Sequence, residues 1–179
     1  MRAVPSLLRG FSAPARLKFE YSKQELLFLL AKDNDPFARW EAGQTLALEA
    51  LGELIAAHAS GKAMRADPEY LETLGRLAAD SSIDPAFRAQ LLDMPEEGYL
   101  GQQQETVLVD SVHAAREFLC DEIARHNEAR FRELYATLAE SAPYRFETKQ
   151  VARRALRGTA LAYLTRTGKA EQLQEALRA

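Results

Sequence analysis

The sequence has few of the residues that build covalent or catalytic centres. Its 179 residues include one cysteine, three histidines and one tryptophan. A single cysteine excludes a disulfide within the chain and suits a reducing compartment, so we expect a cytoplasmic protein. No His-Glu-x-x-His pair, GxxxxGK[ST] or GxGxxG phosphate loop, or Gly-x-Ser-x-Gly elbow occurs. The sequence therefore lacks the common signatures of zinc peptidases, nucleotide-binding enzymes and serine hydrolases.

Long apolar runs and an excess of positive charge are also missing. No stretch approaches the ~18 uninterrupted apolar residues that a membrane-spanning helix needs. The formal net charge is −3, whereas nucleic-acid-binding proteins usually concentrate positive charge on one face. Pro5, Arg9 and Gly10 interrupt the region where a signal peptide would have its apolar core. We therefore expect neither nucleic acid nor a membrane as a partner.

Helix-start signals, in contrast, are frequent. Ser22 and Glu25 have the spacing of a capping box. At three places an aspartate precedes a proline, so that the aspartate can cap a helix whose first residue is proline. These pairs, beginning at Asp35, Asp67 and Asp84, predict helices over 36–58, 68–79 and 85–93. After a polar connection over 96–104, helices are expected over 104–126, 128–140, 148–167 and 169–177. The third of these should be capped by Thr148 and should end at Gly168.

The first 21 residues have a different period. Leu17, Phe19 and Tyr21 alternate with charged residues, which is typical of a half-buried strand. Residues 4–8 could form a second strand. Two strands alone cannot bury their apolar face, so we expect them to need more sheet or the helices as cover.

The fold class that follows is mainly α. Short links between successive helices predict helical hairpins, which in series form an α-α superhelix. Residues 29–51 have the pattern of one HEAT-type unit, although an ordinary helical hairpin with a good cap has the same pattern. We predict HEAT-like hairpins preceded by one or two short β-strands.

Two histidines have a carboxylate one helical turn away. His113 precedes Glu117 by four residues, and Glu122 precedes His126 by four. Such pairs could face one metal ion, but no third ligand lies nearby in sequence, and a solvated Glu–His pair has the same spacing. Cys120 follows two apolar residues and has no histidine on the neighbouring turns, so we expect a buried structural thiol.

Basic and aromatic residues give two further candidates. Arg153 and Arg157 share one face of the helix predicted over 148–167. This face could bind an anion or an acidic partner, or it could be solvated and balanced by glutamates of a neighbouring helix. Trp40 is expected to pack under the linker, and Arg39 to reach back to Asp33 or Asp35. Lys149 lies a turn before the two arginines, and Arg154 and Arg166 complete the basic cluster on this helix.

Five ordered segments give the sequence its resemblance to one family. They keep their order and approximate spacing over nearly the whole chain, and the first two together are unusual. The chain resembles bacterial aminopeptidase N over the segments 4–14 (VPSLLRGFSAP), 26–46 (LLFLLAKDNDPFARWEAGQTL), 83–95 (IDPAFRAQLLDMP), 113–119 (HAAREFL) and 153–164 (RRALRGTALAYL).

The resemblance implies a function for a parent enzyme rather than for this chain alone. Members of that family are zinc metalloproteases that remove N-terminal residues from peptides, and a helical C-terminal domain helps to enclose their substrate chamber. Residues 1–21 then correspond to the end of the small β-sandwich domain and a linker, and residues 22–179 to the N-terminal part of the helical domain. The opening of the chain thus reads like the middle of a protein.

The same resemblance places the zinc ligands and the catalytic glutamate upstream of these residues. We therefore expect no catalytic, cofactor-binding or metal-binding residue here, and an inactive fragment. The expected partners are the remaining domains of the parent and its peptide substrates. The fragment could also self-associate through Leu173 and Leu177, which a truncated helical end would leave uncovered.

Two other interpretations stay open at this point. The chain could be a free-standing α-helical module that binds a peptide or protein on a concave surface. It could also be a small cytoplasmic protein with an adventitious metal site at His113.

Overall fold

The computed structural model describes residues 3–11, 19–139 and 145–168, together with Gln174. In these ranges the chain forms eight α-helices and, near its start, one 3-10 turn, which we call the N-terminal turn (Arg9–Phe11). The helices are α1 (Lys23–Lys32), α2 (Pro36–Ala59), α3 (Pro68–Ala79), α4 (Pro85–Leu91), α5 (Glu97–Gln102), α6 (Val109–His126), α7 (Glu128–Thr137) and α8 (Thr148–Arg166).

The helix starts at the three Asp-Pro pairs are confirmed. The carboxylates of Asp35, Asp67 and Asp84 each accept a hydrogen bond from a backbone N–H of the first turn of α2, α3 and α4. Ser22 and Glu25 form the predicted capping box at the start of α1. Each cap satisfies backbone donors that the helix itself cannot pair, so these starts are fixed locally.

Three helix predictions need correction. The polar connection over 96–104 contains α5, which forms because Leu100 is buried and anchors a short helical turn. α6 begins at Val109 rather than near residue 104, because the Gln104 side chain accepts a hydrogen bond from the Leu108 N–H, 3.2 Å away, ahead of the helix. Thr148 is the first helical residue of α8 and not its cap. The helix predicted over 169–177, with Leu173 and Leu177, lies outside the described residues.

The predicted strands are not found in the described part of the N-terminus. Residues 3–7 have no regular hydrogen-bonded structure, and neither have residues 19–22. The strand prediction for 4–8 is therefore wrong for this structure, because no neighbouring strand is present in the described ranges to complete a ladder. The Tyr21 hydroxyl instead donates to the Pro5 carbonyl at 2.9 Å. Residues 12–18 lie outside the described ranges.

The helices share one continuous apolar core. α1 packs on α2, α2 packs on α6, and α8 packs against α4, α6 and α7. The most deeply buried side chains come from at least six of these helices: Leu30, Leu51, Tyr70, Leu74, Leu119, Ile123, Phe131 and Leu156. The prediction of a mainly α fold is confirmed. None of the described helices is both long and apolar enough to span a membrane.

A buried amide joins α3 to the break between α6 and α7. Asn127 is 1% exposed, and its Nδ2 donates to the carbonyls of Leu71 at 3.0 Å and Ile123 at 3.3 Å. Its Oδ1 accepts from Arg130 Nη1 at 3.0 Å. α3 can approach this amide because residue 75 is glycine: a Cβ there would lie 1.9 Å from Asn127 Oδ1. This close approach therefore requires glycine.

A charged cluster surrounds the same contact. Glu72 on α3 accepts two hydrogen bonds from the Arg130 guanidinium, at 2.8 and 2.9 Å, and one from Arg76 at 3.0 Å. His126 Nε2 lies 3.5 Å from the carboxylate. The hydrogen bonds from Arg130 and Arg76 lower the pKa of Glu72 from 4.5 to about 2. The ionised carboxylate thus ties α3 to α7.

Gly75→Ala should destabilise the chain by about 2–4 kcal/mol, because the new methyl group would displace an amide that is fixed by two hydrogen bonds from its Nδ2. Gly52→Ala is the matched control, since Gly52 also lies in a helix but has open space where the methyl group would stand, with no atom within 4 Å. That control should be neutral or gain about 0.5–1 kcal/mol. Urea unfolding of both variants measures the difference, and equal stabilities would contradict the account.

The depressed pKa of Glu72 predicts a pH dependence. A carboxylate whose folded-state pKa is lowered contributes stability above its unfolded pKa of about 4.5, and this contribution is lost as the pH falls towards 2. Glu72→Gln should therefore flatten the decline in stability between pH 4.5 and 2. Glu133→Gln, which removes an exposed carboxylate from α7, should keep the wild-type slope. Chemical unfolding across this pH range would refute the prediction if the two variants had the same slope.

Candidate functional site: the N-terminal junction and a neighbouring groove

Residues 3–11 dock onto the start of α2 through a polar contact that we call the junction. Arg9 donates to Asp33 Oδ1 at 3.0 Å and to the Asn34 side chain. The Gly10 N–H donates to Asp35 Oδ2 at 2.9 Å. Asp35 Oδ1 meanwhile accepts from the Ala38 N–H and caps α2. One carboxylate therefore starts the helix and also holds the segment that precedes α1.

The electrostatics of the junction favour the ionised form of Asp33. Partial burial raises its pKa, but hydrogen bonds from Ser6 and the Asp35 N–H, together with the positive charge of Arg9, outweigh that effect and lower it. Arg9 also donates to Ser6 Oγ at 3.0 Å, so it links its own segment to the helices. The junction is thus a charge-assisted contact.

The backbone of the junction is strained. Leu8, Gly10 and Phe11 have φ values of 52°, 62° and 50°, all in the left-handed region. Glycine adopts this region freely, but each of the other two residues costs about 1–2 kcal/mol there. The Phe11 ring packs against Phe37 of α2 with 5.0 Å between ring centroids, which helps to offset that strain.

The structure gives the side chains of Trp40 and Arg39 other described partners. Phe37 is the aromatic residue that packs against Phe11 of the described part of the linker, whereas the Trp40 ring lies 6.2 Å from that of Phe37 and the residue is 37% exposed. Arg39 interacts electrostatically with Asp33, as predicted, but its described hydrogen bond goes to the Leu30 carbonyl, at 3.0 Å. Arg9, which lies far from Asp33 in the sequence, is the arginine that binds it.

A groove of about 610 Å³ opens beside the junction, between α2 and the segment from α4 to α5. Trp40 and Tyr99, both partly exposed, lie on its two sides, and buried Met94 and Pro95 are also part of its lining. Among the residues that the structure describes, three carboxylates line it and no basic residue does. The lining is Trp40, Glu41, Gln44, Thr45, Leu48, Gln90, Asp93, Met94, Pro95, Glu96 and Tyr99.

The three carboxylates of the groove are not neutralised by the described protein. Glu41, Asp93 and Glu96 are exposed, and within the described ranges their side chains form no hydrogen bond or ion pair. Gln44 Nε2 reaches across the groove and donates a long hydrogen bond, 3.4 Å, to the backbone carbonyl of Asp93. Within the described ranges the groove therefore has three carboxylates with no paired cation.

The two histidine–glutamate pairs predicted from spacing have other partners. His113 Nδ1 lies 2.9 Å from Glu97 of α5, whose hydrogen bond and charge raise the pKa of the imidazole. Glu117 is bound by Arg166, and His126 lies near Glu72 rather than Glu122. In the parts of the chain that the structure describes, no group of three His, Cys, Asp or Glu side chains is placed to hold a metal ion.

Cys120 is buried, as predicted, and burial raises the pKa of its thiol. A thiol that is buried and protonated is a poor nucleophile. It belongs to the buried face of α6, together with Leu119 and Ile123. Its observed role is packing.

The basic stripe on α8 faces its neighbouring helices. Arg166 donates to Glu117 and Asp121 of α6, at distances between 2.9 and 3.0 Å. Arg157 donates to the Tyr135 carbonyl of α7 and lies 3.9 Å from the centre of that tyrosine ring. Acidic residues of a neighbouring helix therefore balance Arg166, whereas Arg157 binds a backbone carbonyl and an aromatic ring.

Comparison with known proteins places this geometry in a family. The family described as a domain of unknown function (DUF3458_C) with ARM repeats matches residues 23–179. The chain belongs to this family. An aminopeptidase N from Caulobacter vibrioides is 36% identical over 175 residues, which cover 97% of this chain and 20% of that relative. One from Haemophilus influenzae is 30% identical over 166 residues, covering 93% of this chain and 19% of the relative.

The structural comparison agrees. A crystal structure of Legionella pneumophila aminopeptidase A in complex with aspartic acid superposes with a TM-score of 0.83 and 24% identity, over 99% of this chain and 21% of that one. At that identity the likeness shows a shared fold. The resemblance to aminopeptidase N is confirmed, and this member of the ARM-repeat family spans about a fifth of the length of the curated relatives it matches.

Zinc, which the resemblance implies for the parent enzyme, does not fit the described residues. None of the three histidines begins a His-Glu-x-x-His motif, and the described side chains include no three-ligand cluster. That the chain supplies no metal ligand and no catalytic residue stays a prediction.

Asp35→Ala should have two separable effects. It should cost about 1 kcal/mol of stability through the lost cap of α2, as Asp84→Ala should through the lost cap of α4. Only Asp35→Ala should also release the Gly10 N–H, so amide hydrogen exchange at Gly10 should accelerate in that variant alone. Equal exchange rates at Gly10 in both variants would show that Asp35 does not hold the junction.

Proposed function

We propose that this chain is a non-catalytic segment of an aminopeptidase N, an enzyme that removes N-terminal residues from peptides. The observation that carries the proposal is sequence identity: 36% over 97% of this chain with an enzyme that bears that name. A second relative with the same name, 30% identical over 93% of the chain, supports the same assignment. Both matches confine the chain to about a fifth of the relative.

The proposed role of the segment is to help enclose the substrate chamber of the parent enzyme. Residues 22–179 would be the N-terminal part of the helical C-terminal domain, whose closely packed core suits a rigid wall that admits peptides and excludes folded proteins. Residues 1–21 would be the end of a β-sandwich domain and the linker from it. In the parent these residues would lie beside the rest of that domain, which would supply neighbouring strands.

The junction supports this division of roles. Arg9 and Gly10 hold the linker to Asp33, Asn34 and Asp35 with charge-assisted hydrogen bonds. Such a contact fixes the direction in which the chain enters the helices, and so would fix how a preceding domain sits on the helical domain. A strained turn at the same place restricts that direction further.

The remaining parts of the proposal concern what lies outside this chain. Zinc and the glutamate that moves the proton would belong to the catalytic domain of the parent, so the chain alone would be inactive. Its partners would be the other domains of the parent and the peptides that the enzyme binds. The enzyme would be cytoplasmic, and the isolated chain would self-associate through apolar residues such as Leu173 and Leu177.

Hydrolysis of an alanyl p-nitroanilide, with zinc added, tests the proposal directly. The isolated chain should release no more chromophore than a protein-free control. The product of the complete reading frame that contains this chain should release it rapidly, and replacing the glutamate of its His-Glu-x-x-His motif with glutamine should abolish the release.

Activity of the isolated chain would contradict its non-catalytic role. A reading frame that begins close to Met1 and encodes no such motif would overturn the assignment to an aminopeptidase, and would favour a free-standing helical interaction module.

A further inference from the structure

We propose that the groove between α2 and the segment from α4 to α5 binds a lysine or arginine side chain of a peptide. The groove has the size of a small-ligand site, about 610 Å³, and it is open to an extended chain. Its composition selects the ligand: among the described residues, carboxylates, aromatic rings and a thioether line it, and no lysine, arginine or histidine does.

The charge of the groove favours a cationic ligand. Glu41 comes from α2, and Asp93 and Glu96 come from the segment before α5, so three carboxylates from two sides of the groove share one opening. None of them is paired within the described ranges. Arg116, which donates to the Pro95 carbonyl at 2.9 Å, is not part of the lining. An anionic ligand would be repelled, and an apolar one would desolvate these carboxylates without compensation.

The aromatic residues suit the cation and its stem. Trp40 and Tyr99 are 37% and 47% exposed, so their rings are accessible to a ligand, and both line the groove. A guanidinium or ammonium group is attracted to the face of such rings. The methylene stem of lysine or arginine can at the same time lie along apolar surface, which Leu48, Met94 and Pro95 provide.

A divalent metal ion is a poorer candidate. Within the described part of the chain no three acidic, histidine or cysteine side chains converge closely enough to hold a metal. Carboxylates that line one groove without forming a metal cluster suit a long side chain or several basic residues of one peptide better than a single ion. The proposal goes beyond the role in an aminopeptidase and holds for this chain by itself.

Trp40 reports on the groove directly, because it is the only tryptophan in the chain. The full chain is titrated with N-acetyl tetralysine amide while Trp40 fluorescence is recorded. A fluorescein-labelled copy of the peptide is followed in parallel by polarisation. We expect saturable binding in both signals, weakened by added salt because the contacts are ionic. The same peptide with acetylated lysine side chains is the matched neutral probe and should bind at least tenfold more weakly.

Two sets of variants locate the site. Glu41→Gln combined with Glu96→Gln should raise the Kd for tetralysine about tenfold, and neither change should affect folding, since both side chains are exposed and Glu96 forms no side-chain cap. Glu133→Gln on α7 is the control and should leave the Kd unchanged. Circular dichroism verifies that each variant is folded.

Several results would overturn the proposal. They are an absence of polarisation change at millimolar tetralysine, equal affinity for the acetylated peptide, or an unchanged Kd in the double variant. Equal binding of spermine, a cation with no peptide backbone, would show that the ligand is a polyamine and not a peptide. None of these outcomes depends on aminopeptidase activity, so failure here is distinguishable from failure of the proposed function.

Discussion

The buried amide of Asn127 is the interaction on which the helical arrangement most depends. It lies where α6 ends and α7 begins, and it donates across to the Leu71 carbonyl of α3, so it joins three helices at one point. Gly75 allows the approach, and the Arg130–Glu72 contact completes it at the edge of the core. A buried amide without partners is costly, so only an arrangement that satisfies it is stable.

The second constraint acts at the other end of the chain. Asp35 caps α2 and holds Gly10, so helix initiation and the position of the preceding segment depend on the same carboxylate. Nearby, the carboxylates that line the groove remain unpaired within the described ranges. Within the described ranges, the acidic residues that fix the fold are therefore paired, whereas those that line the groove between α2 and the segment from α4 to α5 can bind a ligand.

Local signals predicted the parts of this fold that are decided locally. The aspartate accepts hydrogen bonds from free backbone N–H groups of the first turn, and the proline that follows has no N–H that needs a partner. Both effects act within one turn, so the starts of α2, α3 and α4 could be predicted from sequence. The partner of Asp33 could not, because Arg9 reaches it only after the chain has folded back. Asn127 has no distinctive neighbours in sequence, and its role depends on a glycine in another helix.

The groove was missed for the same reason, since Glu41 and Glu96 line one groove only through tertiary packing. A conspicuous signal did exist in the exposed Trp40 beside Glu41, but without the fold a buried aromatic was the simpler expectation. The strands near the N-terminus were predicted from a true period of two, yet the described residues form none, because a strand is completed by its neighbours.

The central claim is that these residues work as part of a much longer enzyme. An immunoblot of the source cells with an antibody against this chain tests it most directly. Because the chain is about a fifth of its relatives' length, the account predicts a band at about five times its 20.0 kDa, which co-elutes with alanyl aminopeptidase activity. A single band near 20.0 kDa that separates from that activity would contradict it.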